Sequence, residues 1–453
     1  MNVFFSLLAY NTDGDPMPGR RDFIKMAVLG VGGFVVGVGA GYYLGSIPGQ
    51  QQVGAPSGYN LSALGRDAEH QDINTAVIDF FSRENPGYRV DYSPLAYSPL
   101  YDKTVLALQQ GSSAYDLVYM DDPWIPQFGE RGWLADLEDL AKQEGIGLDL
   151  GDFSSVLIDV GRHPYRSGKL VAFPQMGNVQ IFAYRKDVFD RLGIPEPKTW
   201  SDVLNACEKI KASQLVEYTI AFRGVKGNPV ATAFQPILYA FGGKIVSDDL
   251  RKSALDSKAV EALEFLLQLK KYAPPGVENF NTPDVRDRMI GGRIAMSTET
   301  WPGWIKDADN PAVSKVPGLL AYTTTPGERT KTSPLLGVWY WGIPAASRNK
   351  SAALRYILYS ASARMQKIMA ILKGLPPVRS SVGRDPDASA LRRWIPIQVQ
   401  SLAVAVPRPR TPYWPKIEDI FGSYVNQVLA GVVRPSDAVA KMSEEIDKVL
   451  AGG

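Results

Sequence analysis

The segment Tyr115-Asp-Leu-Val-Tyr-Met-Asp-Asp-Pro-Trp124 passes from apolar to polar within one residue. Tyr115–Met120 is the short apolar run of a strand buried in an α/β sheet. Asp121 and Asp122 then supply two carboxylates, Pro123 stops the ladder, and Trp124 presents an indole. Open α/β sheets bind ligands at the carboxyl ends of their strands. Hydrogen-bond acceptors beside a flat apolar face suit a carbohydrate, which carries hydroxyls around its edge and C–H groups on its face. A strand running into a helix N-cap, with Trp124 packed on the surface, is the plain alternative.

The flanking sequence alternates strand and helix, the α/β signature. Upstream, Tyr59–Leu64 reads as a strand. In 67–83, Ile73, Ala76, Val77, Phe80 and Phe81 share a helical face, and Tyr88–Tyr92 follows the Asn85-Pro-Gly turn as a second strand. Tyr101–Gln110 reads as a helix stopped by Gly111. Downstream, Phe128–Leu134 is expected to be a short helix, and 168–187 two extended pieces around a polar break, Gln175–Asn178. Thr199 and Asp202 form a capping box, and in the helix they open Val203, Leu204, Cys207 and Ile210 share a face, so Cys207 is expected to be a core thiol. Phe241–Val246 reads as a turn and strand, Ser257–Tyr272 as an amphipathic helix, and the chain closes in helices around 415–430 and 436–450.

At 453 residues the length predicts two or three domains. Forty-nine Lys and Arg against 47 Asp and Glu give a formal charge of +2, so no nucleic-acid partner is implied. One cysteine, Cys207, and two histidines, His70 and His163, exclude an intramolecular disulfide and a Cys/His zinc cluster. No EF-hand spacing occurs. Neither a metal nor a cofactor is expected.

Residues 19–25, Gly-Arg-Arg-Asp-Phe-Ile-Lys, precede an uncharged, glycine-rich apolar run, Met26 to Gly45. The pair Arg20-Arg21 resembles a twin-arginine export signal, with Met17 a candidate start. A transmembrane anchor with its N-terminus inside fits the same residues. Both place the rest of the chain outside the cytoplasm, and 46–58 reads as a linker.

Of nine tryptophans, six stand in turn-like contexts: Trp124, Trp301, Trp304, Trp339, Trp341 and Trp414. Rings gathered where strands end suit stacking on sugars better than core filling, although rings that fill gaps between domains would show the same pattern. Glu299, two residues before Trp301, adds an acceptor. Replacing Trp301 or Trp339 by alanine is expected to weaken sugar binding and leave the fold intact.

An ordered set of segments carries a resemblance: Tyr115–Trp124; Gly168-Lys-Leu-Val-Ala-Phe-Pro174; Phe182-Ala-Tyr-Arg-Lys-Asp187 with Pro197-Lys-Thr-Trp200; Gly242-Gly243; Gly291-Gly-Arg-Ile-Ala-Met296 with Trp301; Gly337 through Lys350; and Leu375-Pro-Pro-Val-Arg379. Together they resemble the extracellular solute-binding proteins of ABC sugar importers, the maltose-binding-protein-like group. The resemblance implies an α/β, two-lobe type II periplasmic-binding-protein fold with a hinge between the lobes. One lobe would take 59–176 plus 320–378 and the other 179–318 plus 380–453. It also implies a monomer that delivers a di- or oligosaccharide or polyol to membrane permease subunits served by a separate ATPase. By analogy, Asp121, Asp122, Trp124, Trp339 and Tyr340 face the cleft from the first lobe. Gln175 and Asn178 lie near a crossover, and Glu299, Trp301 and Trp304 come from the second lobe. Arg410 and Tyr413 reach the rim, and Arg66 and Asp67 follow the first strand. The competing classes are a secreted glycoside-processing enzyme using Asp121 or Asp122 with Glu299, and a structural or adhesive surface protein.

Overall fold

Two β-sheets organise the chain. The structure, a computed structural model, describes residues 58–452; the export-signal or anchor segment, 46–57 of the linker, and the side chain of Glu299 lie outside the described residues. In the first sheet, β1 (Tyr59–Arg66), α1 (Glu69–Glu84), β2 (Tyr88–Leu95), α2 (Tyr97–Gln109) and β3 (Leu117–Asp121) follow one another in the expected alternation. The chain then reaches β4 (Phe173–Met176) and leaves for the second sheet, made of β5 (Ile181–Arg185), β6 (Tyr218–Ala221), β7 (Ile294–Thr300) and β8 (Leu320–Thr324). It returns to the first as β9 (Trp339–Gly342). Strand orders are β2-β1-β3-β9-β4 and β8-β5-β7-β6. β1 runs parallel to β2 and β3, whereas β9 is antiparallel to β3 and β4, with Trp339 opposite Asp121.

Helices cover both sheets: α3 (Trp200–Ser213), α4 (Asn228–Ala240), α5 (Ser257–Lys270), α6 (Lys350–Ser360), α7 (Ala363–Lys373), α8 (Ile395–Val404), α9 (Trp414–Leu429) and α10 (Pro435–Ala451). The capping box at the start of α3 forms as expected, with Thr199 Oγ1 accepting from the Asp202 amide at 3.0 Å and Asp202 Oδ2 accepting from the Thr199 amide at 2.9 Å. Cys207 lies in the core of this helix face, and burial pushes its thiol up to about 12.

Three expectations need correction. β8 pairs along its whole length with β5, so 320–324 belongs to the second lobe, and the chain re-enters the first only after Leu336. Phe241–Val246 forms no strand: Ile245 and Ser247 bond to Ala254 and Lys252, the return limb of their own loop. The short helix expected over 128–134 sits earlier, at Ile125–Glu130, because Pro126 is well placed in a first turn. Trp133 and Leu134 then run extended, and Leu134 bridges to Pro344.

Three segments cross between the lobes side by side. At the first, Gly177 donates to the Pro376 carbonyl of the third at 2.8 Å, and Gln180 to Leu335 of the second at 3.0 Å. Gln398 Nε2 joins two of them, donating to Gly177 O (2.8 Å) and Pro377 O (3.0 Å). A Cβ on Gly177 would collide with the Pro377 carbonyl and come within 2.8 Å of Gln398 Nε2. Gly177→Ala is therefore expected to cost about 1–3 kcal/mol of stability by overpacking, measurable by urea denaturation. An unchanged midpoint would mean that the crossing segments can separate freely. Farther out, Asp72 of α1 accepts from Lys306 (3.1 Å), just beyond Trp304, and from Lys373 (2.8 Å).

Candidate functional site

The carboxyl ends of β1 and β3 open into a cavity of about 660 Å³. The first lobe contributes Arg66 at the end of β1, His70 from the first turn of α1, Tyr97 and Tyr101 from α2, Asp121 and Trp124 after β3, and Trp339 from β9. The second contributes Arg223, Asn228 and Thr232 from the start of α4, Thr282, Trp301 and Trp304 after β7, and Glu418 of α9. Asn178, Gly337 and Arg408 form the floor at the crossing segments.

Aromatic packing sets the shape of the first-lobe wall. The Trp339 ring lies 4.6 Å from His70, 5.1 Å from Tyr119 and 5.7 Å from Trp124, and Trp124 meets Tyr97 and Tyr101 at 5.2 and 5.3 Å. From the opposite lobe, the Trp301 indole lies directly on Gly337, where a Cβ would fall 2.7 Å from a ring carbon. Only glycine lets the ring approach the floor so closely. Asn178 Oδ1 accepts from the Gly303 amide at 3.3 Å and so fixes the start of the turn that carries Trp304.

Beneath this wall lies a buried charge network. Arg408 bonds Asp121 bidentately, Nη1 to Oδ2 at 2.9 Å and Nη2 to Oδ1 at 2.7 Å, and also pairs with Asp122. Arg410 donates to the Asp122 carbonyl (2.8 Å), its carboxylate (3.2 Å) and Val160 O (2.9 Å). Tyr97 Oη donates to Asp121 Oδ2 at 2.9 Å. Arg408, Asp121 and Asp122 are all buried, and Glu418 stands 3.8 Å from Arg408 on the second-lobe side. Burial raises the Asp122 carboxyl against the opposing pull of Arg408, and burial likewise raises that of Glu418.

Seven of the sequence-predicted residues therefore meet in one cavity: Arg66, Asp121, Trp124, Asn178, Trp301, Trp304 and Trp339. Others do not reach it. Asp122 is fully buried behind Asp121 and is spent on two arginines, and Arg410 is one of these, facing inward rather than to the rim. Gln175 is buried under α6 and α7, accepting from Ser360 (2.9 Å) and, through its carbonyl, from Gln366 (3.0 Å). Tyr340 follows strand alternation onto the opposite face of β9, where its hydroxyl donates to Leu157 O at 2.8 Å. Asp67 pairs with Arg66 outside the cavity, and Tyr413 caps α9. Of the six turn-context tryptophans, Trp341 and Trp414 fill cores.

His70, Tyr97, Tyr101, Arg223 and Arg408 escaped the sequence reading. Arg408 lies two residues before the chosen Arg410 in the same segment, and His70 falls in the helix turn that follows β1, so position offered a signal for both. His70 is buried, and desolvation, aided by Arg66, pushes it down to about 3. The imidazole is neutral in the fold and titrates in the unfolded chain near 6.5. Between pH 6.5 and 3 the unfolded state binds more protons, so stability falls as pH falls, by about 1.4 kcal/mol per pH unit for this group. His70→Gln should flatten the acid limb of the stability–pH curve relative to wild type. Parallel curves from pH 7 to 5 would contradict it.

The family model of bacterial extracellular solute-binding proteins matches residues 62–367. A probable amino-acid ABC transporter periplasmic-binding protein of Sinorhizobium fredii is 27% identical over 339 residues, covering 73% of this chain and 75% of that protein. The mannitol-binding protein of Pseudomonas aeruginosa is 23% identical over 303 residues, 66% of this chain and 68% of that one. Among solved structures, an ABC transporter solute-binding protein of Agrobacterium radiobacter in complex with ribitol superposes with a TM-score of 0.79 at 28% identity, covering 87% of this chain and 99% of that one.

Proposed function

Because the chain belongs to the bacterial extracellular solute-binding proteins, we propose that it captures a carbohydrate or polyol between its lobes and passes it to an ABC permease. The observation that carries this reading is the meeting of Trp124 and Trp339 from one lobe with Trp301 and Trp304 from the other, around a cavity that also holds Arg66, Asn178, Asn228 and Thr282. Indole faces take the C–H surface of a sugar, and amide, hydroxyl and guanidinium groups take its hydroxyls. The ribitol-bound and mannitol-binding relatives support the class. Closure about the three crossing segments would bring the second-lobe groups onto ligand held by the first. Each hydroxyl left without a partner would cost on the order of 1–3 kcal/mol, which gives selectivity.

The chain would act outside the cytoplasm as a monomer. Arg20-Arg21 ahead of the apolar run supports a twin-arginine-like route, with the segment cleaved or kept as an anchor. The hydrolase alternative is not favoured: Asp121 is held by Arg408 and Tyr97, and Asp122 does not reach the cavity. A thermal-shift screen across sugars, polyols and amino acids tests the proposal. A sugar or polyol should raise the melting temperature, by more the tighter it binds and as the logarithm of its concentration over Kd, and stabilisation by amino acids alone would overturn it.

A further inference from the structure

The start of α9 brings to the cavity a carboxylate oxygen that no described residue satisfies. Pro415, Glu418 and Asp419 stand on one face of the helix and line the cavity, Asp419 exposed and Glu418 buried. Glu418 Oε1 has no hydrogen-bond partner among the described residues. Arg408 does not supply one, because its Nη1 stands 3.8 Å away and donates instead to Asp121 at 2.9 Å. Asn228 Nδ2 and Trp414 Nε1 lie beside the carboxyl group, yet both are themselves buried without a partner. Of these two donors, only Asn228 belongs to a residue that lines the cavity.

Buried polar atoms in a folded chain are nearly always paired, so an acceptor and a donor left over together on a cavity wall call for a partner from outside the chain. Packing fixes their relation before a ligand arrives: Phe234 of α4 stacks on Phe421 of α9 with ring centroids 5.7 Å apart. Asn228 opens α4, and its main-chain carbonyl accepts from Thr232 Oγ1 at 3.0 Å, which leaves its side-chain amide outside the bonding of the helix.

We propose that Glu418 and Asn228 together read one hydroxyl of the ligand, which donates to Glu418 and accepts from Asn228, and that they are specificity-determining residues of the second lobe. The inference rests on the carbohydrate reading given above and assigns one of its recognition points. Among ligand groups a hydroxyl fills both roles. A C–H leaves both protein atoms unpaired, an ammonium cannot accept from Asn228, and a carboxylate cannot donate to Glu418. A site built around a ligand hydroxyl rejects the analogue that lacks it, because the groups meant for that hydroxyl are then stranded.

Isothermal titration of the intact protein with glucose, mannose, maltose, mannitol and ribitol, followed by the monodeoxy derivatives of the tightest binder, tests this. One derivative should bind wild type about 10- to 100-fold more weakly than its parent. In Glu418→Ala the parent should weaken by a similar factor, and that derivative should then bind as well as the parent does. Asn228→Ala should silence the same hydroxyl, and it decides the question alone if Glu418→Ala does not fold. Deoxy penalties that persist in full in the variants, or wild-type affinity in them, would overturn the assignment and leave the carbohydrate reading standing. A wild-type chain that binds none of the five parent compounds would overturn both.

Discussion

Arg408→Met should lower the stability of the folded chain by about 3–5 kcal/mol, the cost of leaving buried carboxylates without their counter-charge. Asp121 and Asp122 are both buried, and Arg408 is the residue that joins them. Arg410 would remain on Asp122, but Asp121 would be left with two neutral donors, the Tyr97 hydroxyl and the Asp122 amide. The measurement is the midpoint of urea denaturation at unchanged slope. Because removal of one partner exaggerates the worth of a network, the companion variant matters more. Arg408→Met combined with Asp121→Asn removes the stranded charge, leaves the Asp122–Arg410 pair in place and should recover a large part of the loss. If the double variant is no more stable than the single one, packing of the guanidinium rather than charge pairing is what Arg408 contributes.

Trp301→Ala should weaken ligand binding by about 100-fold, some 2–3 kcal/mol, the range of a stacking aromatic removed from a recognition site. Its melting temperature without ligand should stay within a few degrees of wild type, because the ring faces the cavity and is not sealed in a core. Trp339 is different. Its ring is wedged among His70, Tyr119 and Trp124, so Trp339→Ala should cost folding stability as well as affinity. The sequence alone predicted intact folding for both. Calorimetry of binding beside thermal denaturation separates the two variants, and wild-type affinity in Trp301→Ala would remove this residue from the site.

Much of the fold could be read from local signals. The run ending at Trp124, the Thr199–Asp202 box and the amphipathic helices are each specified by a few neighbouring residues, and each forms where expected. Trp124, Trp301, Trp304 and Trp339 were legible because proline and glycine place them in turns. What could not be read was long-range. That Asp122 meets Arg408 and Arg410, 286 and 288 residues away, is invisible to any window of sequence. Tyr340 was assigned to the cleft with its neighbour Trp339, although strand alternation sends it to the other face. The strand at 320–324 falls in the other lobe because a pentapeptide such as Leu-Ala-Tyr-Thr-Thr carries no label for the sheet it will join.

The two kinds of ionic contact described above answer differently to the medium around the cell. The joint beneath the binding floor is buried and hardly screened, so salinity should leave its geometry alone. The link from Asp72 to Lys306 and Lys373 is partly wet and lies on the flank, where dissolved ions weaken it. An uncharged nutrient would then be held with an affinity that drifts with external salt, although no charge on the nutrient itself is involved.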